Sequence, residues 1–152
     1  EVLPEVIKAI NEADLIILSI SSLYTSILPN IICKEVKLAI DDSKAPIMYV
    51  CNAVTQPGET DNFKVSDHLK MLNSYLGKRK IDVVIASNSK ITKTIAKKYA
   101  TEEQKDPVPI DYDEVKKMGV EWIEGDLIVI EDNRIRHNSL RLSSMVFSYL
   151  MR

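Results

Sequence analysis

Three short, wholly apolar runs constrain this chain more than any other feature: Leu15-Ile16-Ile17-Leu18, Ile47-Met48-Tyr49-Val50-Cys51 and Val83-Val84-Ile85-Ala86. A strand with one wet face alternates apolar and polar side chains, whereas a strand covered on both faces has no reason to alternate. Between and around these runs the apolar period changes. Leu3, Val6, Ile7 and Ile10 recur at helical spacing, as do Leu69, Leu72 and Leu76, then Ile91, Ile95 and Tyr99. Leu142, Met145, Val146, Tyr149 and Leu150 follow the same rule at the C-terminal end. Buried strands alternating with amphipathic helices specify an α/β fold with a mainly parallel sheet.

The punctuation refines this outline. Residues 27 to 42 read as mostly helical with an interruption at Pro29, after a Ser-rich loop from Ser19 to Ser26. Ser66 is placed to N-cap a helix running to Leu76, Asp67 favours its dipole, and Gly77 ends it. Asp111 and Glu114 suggest a capping pair before a short helix that stops near Gly119. Val120 to Ile123 and Leu127 to Ile130, separated by Glu124-Gly125-Asp126, suggest two strands joined by a tight turn. There is no repeat, low-complexity tract or internal linker, so the 152 residues read as one domain, or one half of a larger one.

Charge and cysteine content narrow the function. A formal net charge of -2 carries no basic footprint for nucleic acid. The clusters Lys78-Arg79-Lys80, Lys97-Lys98 and Lys116-Lys117 read as solvated helix ends. Cys33 and Cys51 lie among apolar neighbours and outside any CxxC pair, which suggests reduced, buried thiols and a cytoplasmic protein. No apolar run reaches the ~20 residues of a membrane span. Glycine is scarce, at four of 152 residues against a usual share of about 7%. A phosphate loop normally spends glycines, so such a loop lies outside these residues or has decayed.

In an open parallel sheet, ligands sit beyond the C-terminal ends of the strands, which singles out the loops after Leu18 and after Cys51. The first offers Ser19, Ser21, Ser22, Tyr24, Thr25 and Ser26, hydroxyls that can cradle phosphate but more commonly cap a helix. The second offers Asn52, Thr55, Gln56, Glu59, Thr60 and Asp61, groups able to read sugar hydroxyls or a base edge. Glu59 and Asp61 also suit Mg²⁺, though a solvated loop is the simpler reading, and no metal site and no catalytic residue is assigned. His68, at a helix start, has acid–base chemistry available, yet such a histidine more often packs beneath a loop. Arg136 suits a phosphate. Trp122 is most simply core.

From Ala13 the pattern becomes specific. The stretch ADLIIL, three residues, then SLYTSILPN ends at Asn30, and YVCNAVTQPGETDNFKVSDHLKMLNSYLG follows from Tyr49. Together they resemble the gluconeogenesis factor family, relatives of the 2-phospho-lactate transferases of deazaflavin cofactor synthesis. The resemblance extends from the first helix to Arg136-His137. It implies a Rossmann-like, three-layer α/β/α fold and, for this chain, the C-terminal half of a domain whose nucleotide-sugar or dinucleotide ligand lies between two halves. The family's glycine-rich loop belongs to the preceding half, which accounts for the opening at Glu1 and the few glycines. Members are described as UDP-sugar-binding regulators needed for growth on gluconeogenic carbon, cell-wall precursor supply and cell shape.

Carried over by position, the resemblance implies ligand roles for Ser22, Tyr24, Thr25, Ser26 and Asn30, then for Asn52, Thr55, Gln56, Glu59 and Thr60, and for Asp67 and His68. It also implies roles for Tyr99, by stacking, for Arg136, by charge, and for His137 beside it. A nucleotide-sugar ligand and a regulated protein partner are implied, with self-association left open. One departure matters. The family's Gly-Pro-Gly-Ser is Ser19-Ile20-Ser21-Ser22 here, and Ile20 allows neither positive φ nor close backbone approach cheaply, which argues against tight phosphate binding at that loop. The family's Asp after Arg-His is Asn138, which keeps a helix cap. Two other functions remain open: a phospho-lactate-type transferase, and an interaction module that has lost its ligand.

Overall fold

The computed structural model describes residues 2–131 and 134–152. Helix α1 (Pro4–Glu12) leads into strand β1 (Ile16–Leu18), and a π-helical turn (Leu23–Ile27) continues into α2 (Leu28–Ile31) and α3 (Lys34–Asp42). Then come β2 (Ile47–Val50), α4 (Val65–Tyr75), β3 (Val83–Ser87), α5 (Lys93–Lys98) with a second π-helical turn (Tyr99–Glu103), and α6 (Tyr112–Lys117). The chain ends with β4 (Glu121–Gly125), β5 (Ile128–Glu131), β6 (Arg134–His137) and α7 (Ser139–Leu150).

Strands β1, β2, β3 and β4 lie side by side in that order, all parallel. The apolar runs predict the two inner strands, β2 and β3, which are sandwiched. The first run, Leu15-Ile16-Ile17-Leu18, predicts cover on both faces too, but β1 is an edge strand and Ile17 is 43% exposed. Ile47, Tyr49 and Cys51 face one core with Leu69 and Leu72 of α4, whereas Met48 and Val50 face a second core with Leu142, Met145 and Val146 of α7. Successive strand side chains point to opposite faces, so a fully apolar run serves both cores at once. The result is the expected three-layer, Rossmann-like α/β/α arrangement.

Several local expectations are corrected. Val120–Ile123 and Leu127–Ile130 do not form a hairpin: β4 pairs parallel with β3, Trp122 opposite Val84, and β5 pairs antiparallel with β6, Ile128 opposite His137. The chain turns away after Gly125 because the Ser89 hydroxyl donates to Asp126 and accepts the Ile128 amide, while Met145 of α7 packs 3.1 Å from where a Cβ on Gly125 would lie. Trp122 is 39% exposed on the edge strand, not core. Cys33 is exposed at the α2–α3 junction, although Cys51 is buried as expected.

Pro29 starts α2 instead of breaking a helix, since its missing amide costs nothing in a first turn. Ser66 does not cap α4; it donates to the Asp111 carboxylate at 2.6 Å, and the Asp67 carboxylate accepts the Lys64 amide at 2.9 Å. Asp111 is thereby committed to Ser66 and makes no side-chain cap on α6. Gly77 is not a left-handed cap. A Cβ there would meet the Asp41 carboxylate at 2.1 Å, and that carboxylate accepts the Lys78 and Arg79 amides.

Candidate functional site

Three concavities run together along the rim where β1 and β2 end. The first, about 330 Å³, is lined by Ser19, Ser21, Ser26 and Asn30 with Ile17, Leu18, Ile27 and Ile31. The second, about 160 Å³, holds Ile20, Ser21, Asn52, Gln56 and His137. The third, about 420 Å³, holds Tyr99, Glu103, Lys105, Arg134 and Arg136. Ser21 belongs to the first two, and Val54 and Ile135 to the last two. The two polar loops and β6 therefore border a row of adjoining concavities beyond the carboxyl ends of parallel strands, where this architecture binds ligands.

Each wall is built by contacts that spend some of the polar residues on shape. Gln56-Pro57-Gly58-Glu59 closes a turn in which the Glu59 amide donates to the Gln56 carbonyl at 3.1 Å and Gly58 adopts φ +75°, the conformation a Pro-Gly pair favours. Buried Thr60 then accepts the Gln56 amide at 2.8 Å, and Asp61 accepts the Gly58 amide at 2.8 Å. Buried Thr55 accepts the Asp106 amide at 2.9 Å, tying the loop to the segment before α6.

The two loops are also tied to each other. Ser22 donates to the Glu59 carboxylate at 2.6 Å and accepts the Thr25 hydroxyl at 2.6 Å, and Asn52 Nδ2 donates to the Ser21 carbonyl at 3.0 Å. Thr25, Ser22 and Glu59 thus form a brace behind the groove.

The structure brings together Ser26, Asn30, Asn52, Gln56, Tyr99, Arg136 and His137. It places the remaining sequence candidates elsewhere. Ser22, Thr25 and Glu59 form the brace, Thr55 and Thr60 shape the second loop, and Asp67 holds the start of α4. Tyr24 is exposed, its hydroxyl 3.7 Å from Met71 Sδ. His68 is 0% exposed, stacked on Tyr49 and edge-on to Phe63, with Nδ1 2.9 Å from the Lys64 carbonyl. Tyr99, though on the groove, is buried, and its hydroxyl accepts the Ile135 amide, so it also fixes β6.

Burial governs the electrostatics. It lowers the pKa of His68 and of His137, with the Lys64 and Cys51 carbonyls respectively working against that, so neither ring charges readily. Burial pushes the Cys51 thiol up to about 12, which removes it as a nucleophile. The third concavity carries Arg134 and Arg136, while Lys105 is paired there with the Glu103 carboxylate at 2.8 Å.

Sequence reasoning missed Arg134 and Lys105, and it offered Ser21 as a hydroxyl where the structure uses its carbonyl. Arg134 was readable: in a strand, residues two apart share a face, so Arg134 accompanies Arg136 along β6. Nothing local marks Lys105, which follows Gln104 at φ 53°. At Ser19-Ile20-Ser21-Ser22 the backbone takes no positive φ, and Ile20 packs towards the second core. The family's glycines are replaced without any left-handed residue.

Comparisons with known proteins agree with this fold. A family model described as 2-phospho-L-lactate transferase CofD matches residues 1–128. The gluconeogenesis factor of Bacillus subtilis is 38% identical over 148 residues, 97% of this chain and 46% of that protein. The gluconeogenesis factor of Halalkalibacterium halodurans is 36% identical over 144 residues, 95% of this chain and 44% of that protein. A crystal structure of a protein from Bacillus halodurans superposes with a TM-score of 0.90 at 36% identity, covering 95% of this chain and 46% of that one. The chain thus spans less than half the length of these relatives, matching their C-terminal part. With the fold shared at this level and the family model covering most of the residues, the chain belongs to the CofD family, as a counterpart of the C-terminal part of proteins named gluconeogenesis factor.

Proposed function

We propose that this chain supplies the C-terminal half of a UDP-sugar-binding regulatory protein, a cytoplasmic gluconeogenesis factor. In this reading it links growth on gluconeogenic carbon to cell-wall precursor supply and cell shape through a protein partner. The observation that carries the reading is the row of adjoining concavities: amide and hydroxyl side chains along it, and Arg134 and Arg136 at one end beside the Lys105–Glu103 pair. Forked guanidinium contacts suit a diphosphate, and the polar length suits the sugar and base attached to it. Regulation is favoured over turnover because the loop carboxylates are already engaged, Glu59 by Ser22 and Asp61 by the Gly58 amide, and because the relatives carry the name gluconeogenesis factor.

Calorimetric titration of the full-length protein with UDP-N-acetylglucosamine tests this. Saturable binding is expected, weakened about 10- to 100-fold by Arg136→Ala, the loss of one or two charge-assisted hydrogen bonds at about 1.5–3 kcal/mol each, discounted for the exposed position of the residue. A second reading, a phospho-lactate-type transferase, draws on the description of the matching family. Mg²⁺-dependent transfer to a deazaflavin acceptor would favour it. Absence of any nucleotide-sugar binding would leave an interaction module that has lost its ligand.

A further inference from the structure

Helix α7 is apolar on two opposite sides. Leu142, Met145, Val146 and Tyr149 pack into the second core. Phe147 and the C-cap Met151 lie within about 20° of Leu140 around the helix axis, on the side that points directly away from the sheet. These three are 67%, 77% and 80% exposed. Arg141 is the only charged residue between Ser139 and Met151, so Leu150 and serines make up the rest of the outward half. A solvated helix face carries charge, whereas a helix apolar all round is one that is buried. With large side chains offering on the order of 200 Å² each, the exposed parts of Leu140, Phe147, Leu150 and Met151 form a patch of roughly 500 Å². A further helix in the same layer would lie beside α7, against its flanks, and would leave the outward stripe bare.

We propose that this face is a homodimer interface, with α7 packing antiparallel on α7 of a second copy across a two-fold axis. Such an axis needs a self-complementary surface, and the stripe is one. The register that sets Leu140 against Met151 of the partner subunit also sets Phe147 over the partner's Ser143 and Ser144, a large side chain over two small ones, and the axis repeats both contacts. Ser143 Oγ already donates to the Ser139 carbonyl at 2.8 Å, so covering it strands no donor. Area fits as well: the patch doubled across the axis removes about 1,000 Å², the size at which specific interfaces begin. A lipid surface fits less well, because helices that lie on membranes set a strongly charged face opposite the apolar one, and the opposite face of α7 is core.

Sedimentation equilibrium of the full-length protein tests this. A reversible dimer is expected, and Phe147→Glu raises its dissociation constant by about 30-fold or more, the effect of losing a central anchor, while the circular dichroism spectrum stays that of the parent. Two double variants test the register. Leu140→Glu with Met151→Glu sets like charges against each other across the axis and gives a monomer; Leu140→Lys with Met151→Glu sets opposite charges there and keeps association within about tenfold of the parent. If Phe147→Glu fails to fold, this pair still decides. A full-length protein that is monomeric at every concentration, a dimer that Phe147→Glu leaves intact, or equal association of the two double variants overturns the proposal. So does co-sedimentation of a monomeric protein with phosphatidylglycerol vesicles that Phe147→Glu abolishes, which would make a lipid surface the cover.

Discussion

Thr60 and Gln56 are four residues apart and serve opposite purposes, so replacing each in turn separates scaffold from site. Thr60 is 0% exposed and its hydroxyl accepts the Gln56 amide at 2.8 Å. Thr60→Val keeps the shape but removes that acceptor and strands the Gln56 N–H, a cost of about 1–3 kcal/mol. Gln56 is half-buried, so water can partly replace the lost oxygen and the lower part of the range applies, about 1–2 kcal/mol. At roughly 2–4 °C per kcal/mol for a domain of this size, the melting temperature drops by about 2–8 °C. Gln56→Ala removes a side chain that lines the groove and makes no hydrogen bond to the rest of the protein among the described residues. It changes stability by less than about 0.5 kcal/mol and weakens UDP-sugar binding. Urea unfolding followed by far-ultraviolet circular dichroism, paired with calorimetry, reads both quantities. A Thr60→Val protein as stable as the parent, or a Gln56→Ala protein that loses as much stability as Thr60→Val, would refute the division of labour.

Gly77→Ala pushes a Cβ into the Asp41 carboxylate and strains its bonds to the Lys78 and Arg79 amides, costing about 3 kcal/mol in urea unfolding; Asp41→Ala should cost a similar amount and the double variant little more. Burial lowers the pKa of His68 in the folded state, so the unfolded chain binds the extra proton first. That stability is fully present above pH ~6.5 and is lost as pH falls below it, with a slope approaching ~1.4 kcal/mol per pH unit; urea titrations between pH 7 and pH 5 should show a shallower slope for His68→Gln. A thiol reagent should label exposed Cys33 quickly and Cys51, with its thiol pushed up to about 12, only at the rate of unfolding. Equal labelling rates would contradict the buried placement of Cys51.

The sheet was legible because burial on both faces leaves its mark inside each strand: Ile47-Met48-Tyr49-Val50 needs no partner sequence to be recognised. Partner choice is a long-range property. Glu124-Gly125-Asp126 looks like a hairpin turn in any local window, whereas the pairing of β4 with β3, and of Ile128 with His137, depends on residues outside it. Residue type misled at Trp122 and Cys33 for the same reason, since an edge strand and a helix junction expose side chains that are apolar by nature. At the site, polar residues in the two signature loops answered to two demands at once. Asn52 and Gln56 face the groove, but Thr55, Thr60, Ser22 and Glu59 hold the loops in shape and His68 packs beneath them. Residue type and spacing alone do not separate a residue that a ligand needs from one that the loop needs.

Amide and side-chain NMR shift mapping during a UDP-sugar titration of the full-length protein addresses the groove most directly. The account requires the largest changes at Ser26, Asn30, Asn52, Gln56, Arg136 and His137, saturating together with one dissociation constant. Changes centred instead on the outer faces of α5 or α7, with those six positions unmoved, would contradict it.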